Sequence, residues 1–147
     1  MNTSRIVLGT DHAGFTLKEA VKKYLEGKKI DVVDVGTFSE DDTDYPPIME
    51  KACAAVKEYD CMGIIFGGSG NGEAMVANKC HGIRCARCVS VWDVEMARKH
   101  NDANVMSLAG RVTEPKDVGP IVDAFLNTKF EGGRHQKRLE MFPDYES

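Results

Sequence analysis

Short apolar runs alternate with segments of helical periodicity along the whole chain, and this alternation narrows the fold more than any other feature. Ile6-Val7-Leu8 ends in Gly9 and reads as a buried strand. Leu17, Ala20, Val21, Tyr24 and Leu25 follow at i, i+3, i+4, i+7, i+8 spacing, one face of a helix. Residues 31–35 read as a second strand, and Met49, Ala52, Cys53 and Val56 place an apolar stripe on a helix opening after Pro46-Pro47. A third strand at 63–66 runs into a glycine-rich turn and a helix over about 72–79. A strand around 83–89, a helix over about 93–100 and a strand at 105–108 come next. Val118, Ile121, Val122 and Phe125 mark a further helix, and residues 134–141 a final short one.

Such alternation implies right-handed βαβ crossovers and a parallel sheet. The expected fold is α/β: one domain over residues 1–147, a doubly wound, Rossmann-like sheet of five parallel strands in the order 2-1-3-4-5, with a C-terminal helix. In that order the first and third strands flank the ligand crevice at their carboxyl ends. The loops leaving those strands hold Asp11-His12 and the segment 67–73, the two stretches richest in usable chemistry.

A net charge of −4 argues against broad nucleic-acid binding, though not against a local basic pocket for one phosphate. The five cysteines, Cys53, Cys61, Cys80, Cys85 and Cys88, have no spacing of a disulfide framework, and no apolar run approaches a membrane span. The opening residues lead straight into a strand without a signal-peptide pattern, so the expected compartment is the cytoplasm, with reduced thiols.

Gly67-Gly68-Ser69-Gly70-Asn71-Gly72-Glu73 follows an apolar strand and opens a helix, which suits an anion held by backbone N–H groups. Glu73 stands where a dinucleotide fingerprint needs its third glycine and where a P-loop needs lysine, so both nucleotide readings fail. Proton transfer through an enediolate fits better: Glu73 offers a base, Ser69 a hydroxyl to shuttle protons, and the N–H groups of residues 70–72 a cradle for the oxyanion. The plain alternative, a glycine turn with a solvent-facing glutamate near the helix dipole, carries about equal weight on the loop alone.

Further marks settle the comparison. They are Gly9-Thr10-Asp11-His12-Ala13-Gly14-Phe15, Thr43-Asp44-Tyr45-Pro46, the 67–73 loop running on to Ala77-Asn78-Lys79, and Gly82-Ile83-Arg84. His100-Asn101-Asp102-Ala103-Asn104, Gly110-Arg111-Val112 and Gly132-Gly133-Arg134-His135-Gln136-Lys137-Arg138 complete the set. In this order, over about residues 6–138, the sequence resembles the type B ribose-5-phosphate isomerase family, which includes galactose- and allose-6-phosphate isomerases. The resemblance implies a metal-independent aldose–ketose isomerase without cofactor. Asp11, His12 and Tyr45 would contact the sugar, and Gly68, Ser69, Gly70, Asn71 and Gly72 would line the enediolate site. His100 would open the sugar ring, Asn101 would bind a sugar oxygen, and Arg111, Arg134 and Arg138 would hold the phosphate. Many members carry a cysteine base where this chain has Gly67; a smaller branch uses a glutamate matching Glu73, and this sequence resembles that branch. Unlike a thiol, a carboxylate is ionised at neutral pH without activation. The family also implies a homodimer, or a tetramer, in which the C-terminal arginines reach a neighbouring subunit's site.

Each residue also has a plainer reading. Asp11 makes a good helix cap, His100 suits a helix C-terminus, and Arg134 with Arg138 could form a solvated basic face. Cys85-x-x-Cys88 lacks a second pair at metal-ligand spacing and reads as structural rather than as a metal or redox site. His81 and His135 are expected at the surface, and Trp92 is expected to pack at the start of the fourth helix. The expected activity is interconversion of ribose 5-phosphate and ribulose 5-phosphate. A six-carbon 6-phosphate substrate and a non-catalytic phosphosugar-binding module are the alternatives; neither nucleic acid nor membrane is an expected partner.

Overall fold

The computed structural model describes residues 2–146. Five parallel strands, β1 (Asn2–Thr10), β2 (Asp31–Asp34), β3 (Cys61–Gly67), β4 (Cys85–Cys88) and β5 (Val105–Ala109), form one sheet. The helices are α1 (Phe15–Gly27), α2 (Tyr45–Tyr59), α3 (Asn71–Ala77), α4 (Val91–Asn101), α5 (Val118–Asn127) and α6 (Arg134–Leu139). Side chains alternate across the sheet with the period of two that strands impose. Ile6, Leu8, Met62, Ile64, Phe66, Met106 and Leu108 meet Leu17, Val21 and Leu25 of α1, Val94 of α4, and Val122 and Phe125 of α5. On the opposite face Val7, Ile65 and Val105 meet Met49, Ala52, Cys53 and Val56 of α2 and Ala77 of α3. Burying each large apolar side chain contributes about 1.5–3 kcal/mol, which fixes the strand register.

The doubly wound class is as expected, but the order is β2-β1-β3-β5-β4, with the last two strands exchanged relative to 2-1-3-4-5. Burial explains the exchange. Every residue of β5 is buried, as an interior strand requires, whereas β4 carries the exposed Arg87 and takes the edge. Beside β3, β5 also delivers its following loop to the crevice: Gly110 N–H donates to Gly67 O at 2.7 Å and Arg111 N–H to Gly68 O at 3.0 Å. In the expected order Arg111 would start one strand spacing, about 4.8 Å, farther away.

Helix α4 begins at Val91, earlier than its apolar pattern suggests, because Ser90 caps it. The Ser90 hydroxyl accepts from Asp93 N–H at 3.1 Å, and Asp93 Oδ2 accepts from Val89 N–H at 2.9 Å. The same start turns Trp92 outward, 67% exposed, so it does not pack as expected.

Helix α1 is pinned to the end of β2 by a buried ion pair. Lys18 is fully buried, and its Nζ lies 2.6 Å from Asp34 Oδ2 and 2.8 Å from Glu19 Oε2. Asp34 Oδ1 in turn accepts from Gly36 N–H at 2.9 Å. Replacing Lys18 by Met leaves a buried carboxylate with Lys22, at 3.4 Å, and the Gly36 N–H to answer it, and removes its shortest cationic contact. We expect Lys18→Met to lower unfolding free energy by about 3 kcal/mol, the low end for breaking a buried pair. Urea melts of the two proteins measure the difference, and coincident curves would contradict it.

Candidate active site

A cleft of about 760 Å³ opens at the carboxyl ends of β1, β3 and β5. Asp11, His12, Tyr45, Gly68, Ser69, Gly72, Glu73 and Arg111 line it, as the fold logic expects.

Asp11 caps a turn and borders the cleft. Its Oδ1 accepts from Ala13 N–H at 2.9 Å and Gly14 N–H at 3.1 Å, capping a single 3₁₀ turn, while the residue also borders the cleft. His12 is oriented by Thr43, whose N–H donates to Nδ1 at 3.2 Å. In the neutral ring the proton therefore sits on Nε2, which lies 3.5 Å from Asp42 Oδ1.

Three glycines of the loop each leave room for one functional group. A Cβ on Gly67 would overlap the Glu73 carboxylate, and one on Gly72 would overlap the Tyr45 hydroxyl. A Cβ on Gly68 would stand 3.0 Å from the Arg111 guanidinium. Gly70 lies deeper, at φ +81°, a conformation that favours glycine, and its carbonyl accepts from the buried Ser107 hydroxyl at 2.7 Å. Asn71 is exposed at the start of α3, and its N–H donates to Ser69 Oγ at 3.2 Å. Neither Gly70 nor Asn71 lines the cleft; they shape the turn that does.

Glu73 is 4% exposed. Burial raises its carboxyl above the usual carboxylate range and the charge of Asp11 adds to this, opposed by a backbone N–H hydrogen bond. The folded state thus holds the Glu73 proton more tightly than the unfolded chain. Stability from that proton is complete below the ordinary pKa and is lost as pH rises through the raised one. Glu73→Gln, which mimics the protonated form, should therefore melt at a higher temperature than the parent near pH 7. The gap should close near pH 4; thermal melts at both values measure it, and a variant melting lower at pH 7 would contradict the burial argument.

Sequence reasoning missed one residue that borders this site and one that supports its loop from behind. Thr43 borders the cleft with a buried hydroxyl that has no hydrogen-bond partner among the described residues. Only its place in the Thr43–Pro46 motif could have signalled it. Ser107 sits in an apolar strand, and its single polar atom between apolar neighbours was the available hint.

The other expected site residues gather elsewhere. His100, Asn101, Arg134 and Arg138 do not border this cleft. Asn101 lines a second cavity, about 740 Å³, with Arg84 and Phe142. His100 stacks on His135, with ring centroids 4.3 Å apart and planes at 13°. His135 is thus buried, 8% exposed, rather than at the surface: α6 packs against α4 and the ring fills that contact. His81 is exposed as expected and pairs with Glu146. Burial pushes the Cys88 thiol up to about 12 and raises Cys85 as well, which disfavours thiolate chemistry and agrees with the structural reading of that pair.

The architecture and this cleft define a class: a doubly wound α/β protein whose carboxyl-end crevice sets a buried carboxylate among glycines, a tyrosine and an arginine. A model of the ribose/galactose isomerase family matches residues 6–142. Ribose-5-phosphate isomerase B of Mycolicibacterium paratuberculosis is 42% identical over 145 residues, covering 97% of this chain and 91% of the relative. A crystal structure of a ribose 5-phosphate isomerase from Thermotoga maritima superposes with a TM-score of 0.93 at 40% identity, covering 98% and 99% of the two chains. Ribose-5-phosphate isomerase B from Mycoplasma genitalium with bound ribulose-5-phosphate superposes at 0.90 with 37% identity, covering 96% and 95%. The chain belongs to the ribose/galactose isomerase family. It is a sugar-phosphate isomerase, an intramolecular oxidoreductase of the aldose–ketose type. No helix among the described residues is long and apolar enough to cross a membrane.

Proposed function

We propose that the chain interconverts ribose 5-phosphate and ribulose 5-phosphate through an enediolate, without a metal, and that Glu73 is the base. The observation that carries this reading is the Glu73 carboxylate, buried in the cleft and filling the space above Gly67. A side chain on residue 67 and the carboxylate of residue 73 compete for one volume, so a thiol base at 67 and a glutamate base at 73 are alternative solutions to one geometry. Glu73 takes the proton from C2 of the aldose; electrons move onto the carbonyl oxygen; the proton returns at C1. Ser69 moves a proton between the two oxygens, and the loop holding Gly68, Gly70, Asn71 and Gly72 steadies the negative charge. Asp11, His12 and Tyr45 fix the sugar, and Arg111 faces its phosphate.

Ring opening needs an acid near neutrality, and His100 suits it, with Asn101 beside it and Arg134 and Arg138 adding phosphate contacts. These four residues lie away from their own chain's cleft, which supports a homodimer whose partner supplies them. The unit is one domain over the whole chain, and its five free cysteines suit the reducing cytoplasm. A shared site predicts complementation. Glu73→Gln and His100→Asn proteins, each inactive alone on the aldose, should recover about a quarter of parental activity when unfolded, mixed and refolded, because half of the dimers then carry one intact site. No recovery would contradict sharing.

Steady-state rates on ribose 5-phosphate, allose 6-phosphate and galactose 6-phosphate, with EDTA present, test the substrate and the metal-free mechanism. The expected preference is for ribose 5-phosphate, undiminished by EDTA. Turnover of only a six-carbon substrate, or its loss with EDTA, would overturn the respective part.

A further inference from the structure

The glycine-rich loop is held from behind, one carbonyl at a time. Gly67 O and Gly68 O accept from the backbone N–H groups of Gly110 and Arg111, at 2.7 and 3.0 Å. Gly70 O accepts from the Ser107 hydroxyl at 2.7 Å. Between them, Ser69 O accepts from Arg87 Nε, also at 2.7 Å. These four donors lie on β4, on β5 or in the loop that leaves β5. A planar trans peptide holds its N–H opposite its C=O, so the 68–69 and 69–70 peptides turn their N–H groups away from those donors. No backbone acceptor among the described residues takes the N–H of Ser69 or of Gly70.

Strand register sets up the two side-chain clamps. Arg87 of β4 and Ser107 of β5 are partners in the parallel ladder, so their side chains leave the same face of the sheet. They serve consecutive carbonyls of the loop. Ser107 stands on the strand next to β3 and reaches with a short hydroxyl. Arg87 stands one strand farther out, about 4.8 Å more, which only a long side chain spans. It is also the one charged donor of the four, and a hydrogen bond from a charged donor is about twice as strong as a neutral one. The plainer reading of Arg87 is a cation that keeps foreign strands off an exposed edge. That task needs no Nε turned inward onto a carbonyl. The loop does need holding: glycines at 67, 68, 70 and 72 give it wide backbone freedom, and a catalytic arrangement works when its groups stay within about 0.5 Å of their places.

We propose that Arg87 is a positioning residue of the isomerase: its hydrogen bond to Ser69 O fixes the 69–70 peptide, and so sets the Ser69 hydroxyl and the N–H groups of the loop where the enediolate forms. The proposal rests on the reading of this loop as the enediolate site. Arg87 acts through Ser69 and not on the sugar or its phosphate.

Two substitutions separate the hydrogen bond from the rest of the side chain. Glutamine carries an amide nitrogen as many bonds from the backbone as Arg87 Nε, so Arg87→Gln keeps a donor and loses the charge. Arg87→Met keeps an unbranched chain and loses both. Arg87 is exposed, so neither change opens the core. Arg87→Met should lower kcat for ribulose 5-phosphate at least about tenfold, short of the roughly 10²–10³ that deleting an oxyanion donor costs. KM, and calorimetric affinity for the same sugar, should stay within about twofold of the parent. Arg87→Gln should keep kcat within about threefold. Release of deuterium from ribulose 5-phosphate labelled at C1, which needs no ring opening, should follow the same order. Parental kcat in Arg87→Met would leave Arg87 a solvated edge charge, and a loss confined to KM would make it a phosphate contact. Equal rates in the two variants would deny the hydrogen bond its part. Each of these results overturns the proposal. If Glu73→Gln still abolished deuterium release, the reading of the loop would outlive that failure; a parent protein that released none would end both.

Discussion

Glu73→Gln should lower kcat by about three to four orders of magnitude while changing affinity for ribulose 5-phosphate little. General-base contributions run to about 10²–10⁴, and here no second group stands in the same place. Glutamine keeps the shape, so the buried pocket and the loop around it survive. The loss falls on kcat because the carboxylate acts on the carbon-bound proton and not on the phosphate. Initial rates with both sugars, alongside calorimetric titration of product, separate the two effects. A variant within tenfold of the parent would end the assignment.

Gly67→Ala should cost nearly as much, although it adds one methyl and removes no functional group. A Cβ at residue 67 falls on the Glu73 carboxylate, which would have to leave its place. Gly67 ends a strand buried throughout, so the backbone has little room to yield. We expect kcat to fall at least about a hundredfold, in keeping with the cost of displacing a catalytic group by an ångström. The displaced carboxylate would also lose its burial, and the pH below which activity declines should move downward. A pH–rate profile of the variant checks this, and parental activity with an unshifted profile would show that the carboxylate position is immaterial. Gly67→Cys would be no rescue, since a thiol there meets the same obstacle while Glu73 remains.

These two residues show what the sequence made legible. Glu73 broke two nucleotide motifs, standing where one needs glycine and the other lysine, and its carboxylate pointed to proton-transfer chemistry. Gly67 was visible only as an absent cysteine; that its emptiness houses the carboxylate depends on the α3 start, which one-dimensional spacing does not encode. Strand existence was legible from apolar runs such as Ile6-Val7-Leu8. The order of β4 and β5 was not, because it depends on which strand tolerates an edge, and Arg87 in β4 was the one local hint. Asp11 read slightly better as a helix cap on local pattern alone, and the resemblance turned the balance toward sugar contact; it caps a turn and borders the cleft. Trp92 and His135 were misjudged for the same reason: residue type sets an average exposure, but a helix cap and an α4–α6 contact decided these two.

The most direct test of the central claim starts from ribulose 5-phosphate deuterated at C1. This ketose cannot close to a furanose, so carbon–hydrogen cleavage is observed apart from ring opening. NMR can count C1 deuterium lost, whether it washes into water or moves to C2. The account predicts rapid loss with the parent protein, substantial loss with His100→Asn, and almost none with Glu73→Gln. Loss at the parental rate with Glu73→Gln would contradict it.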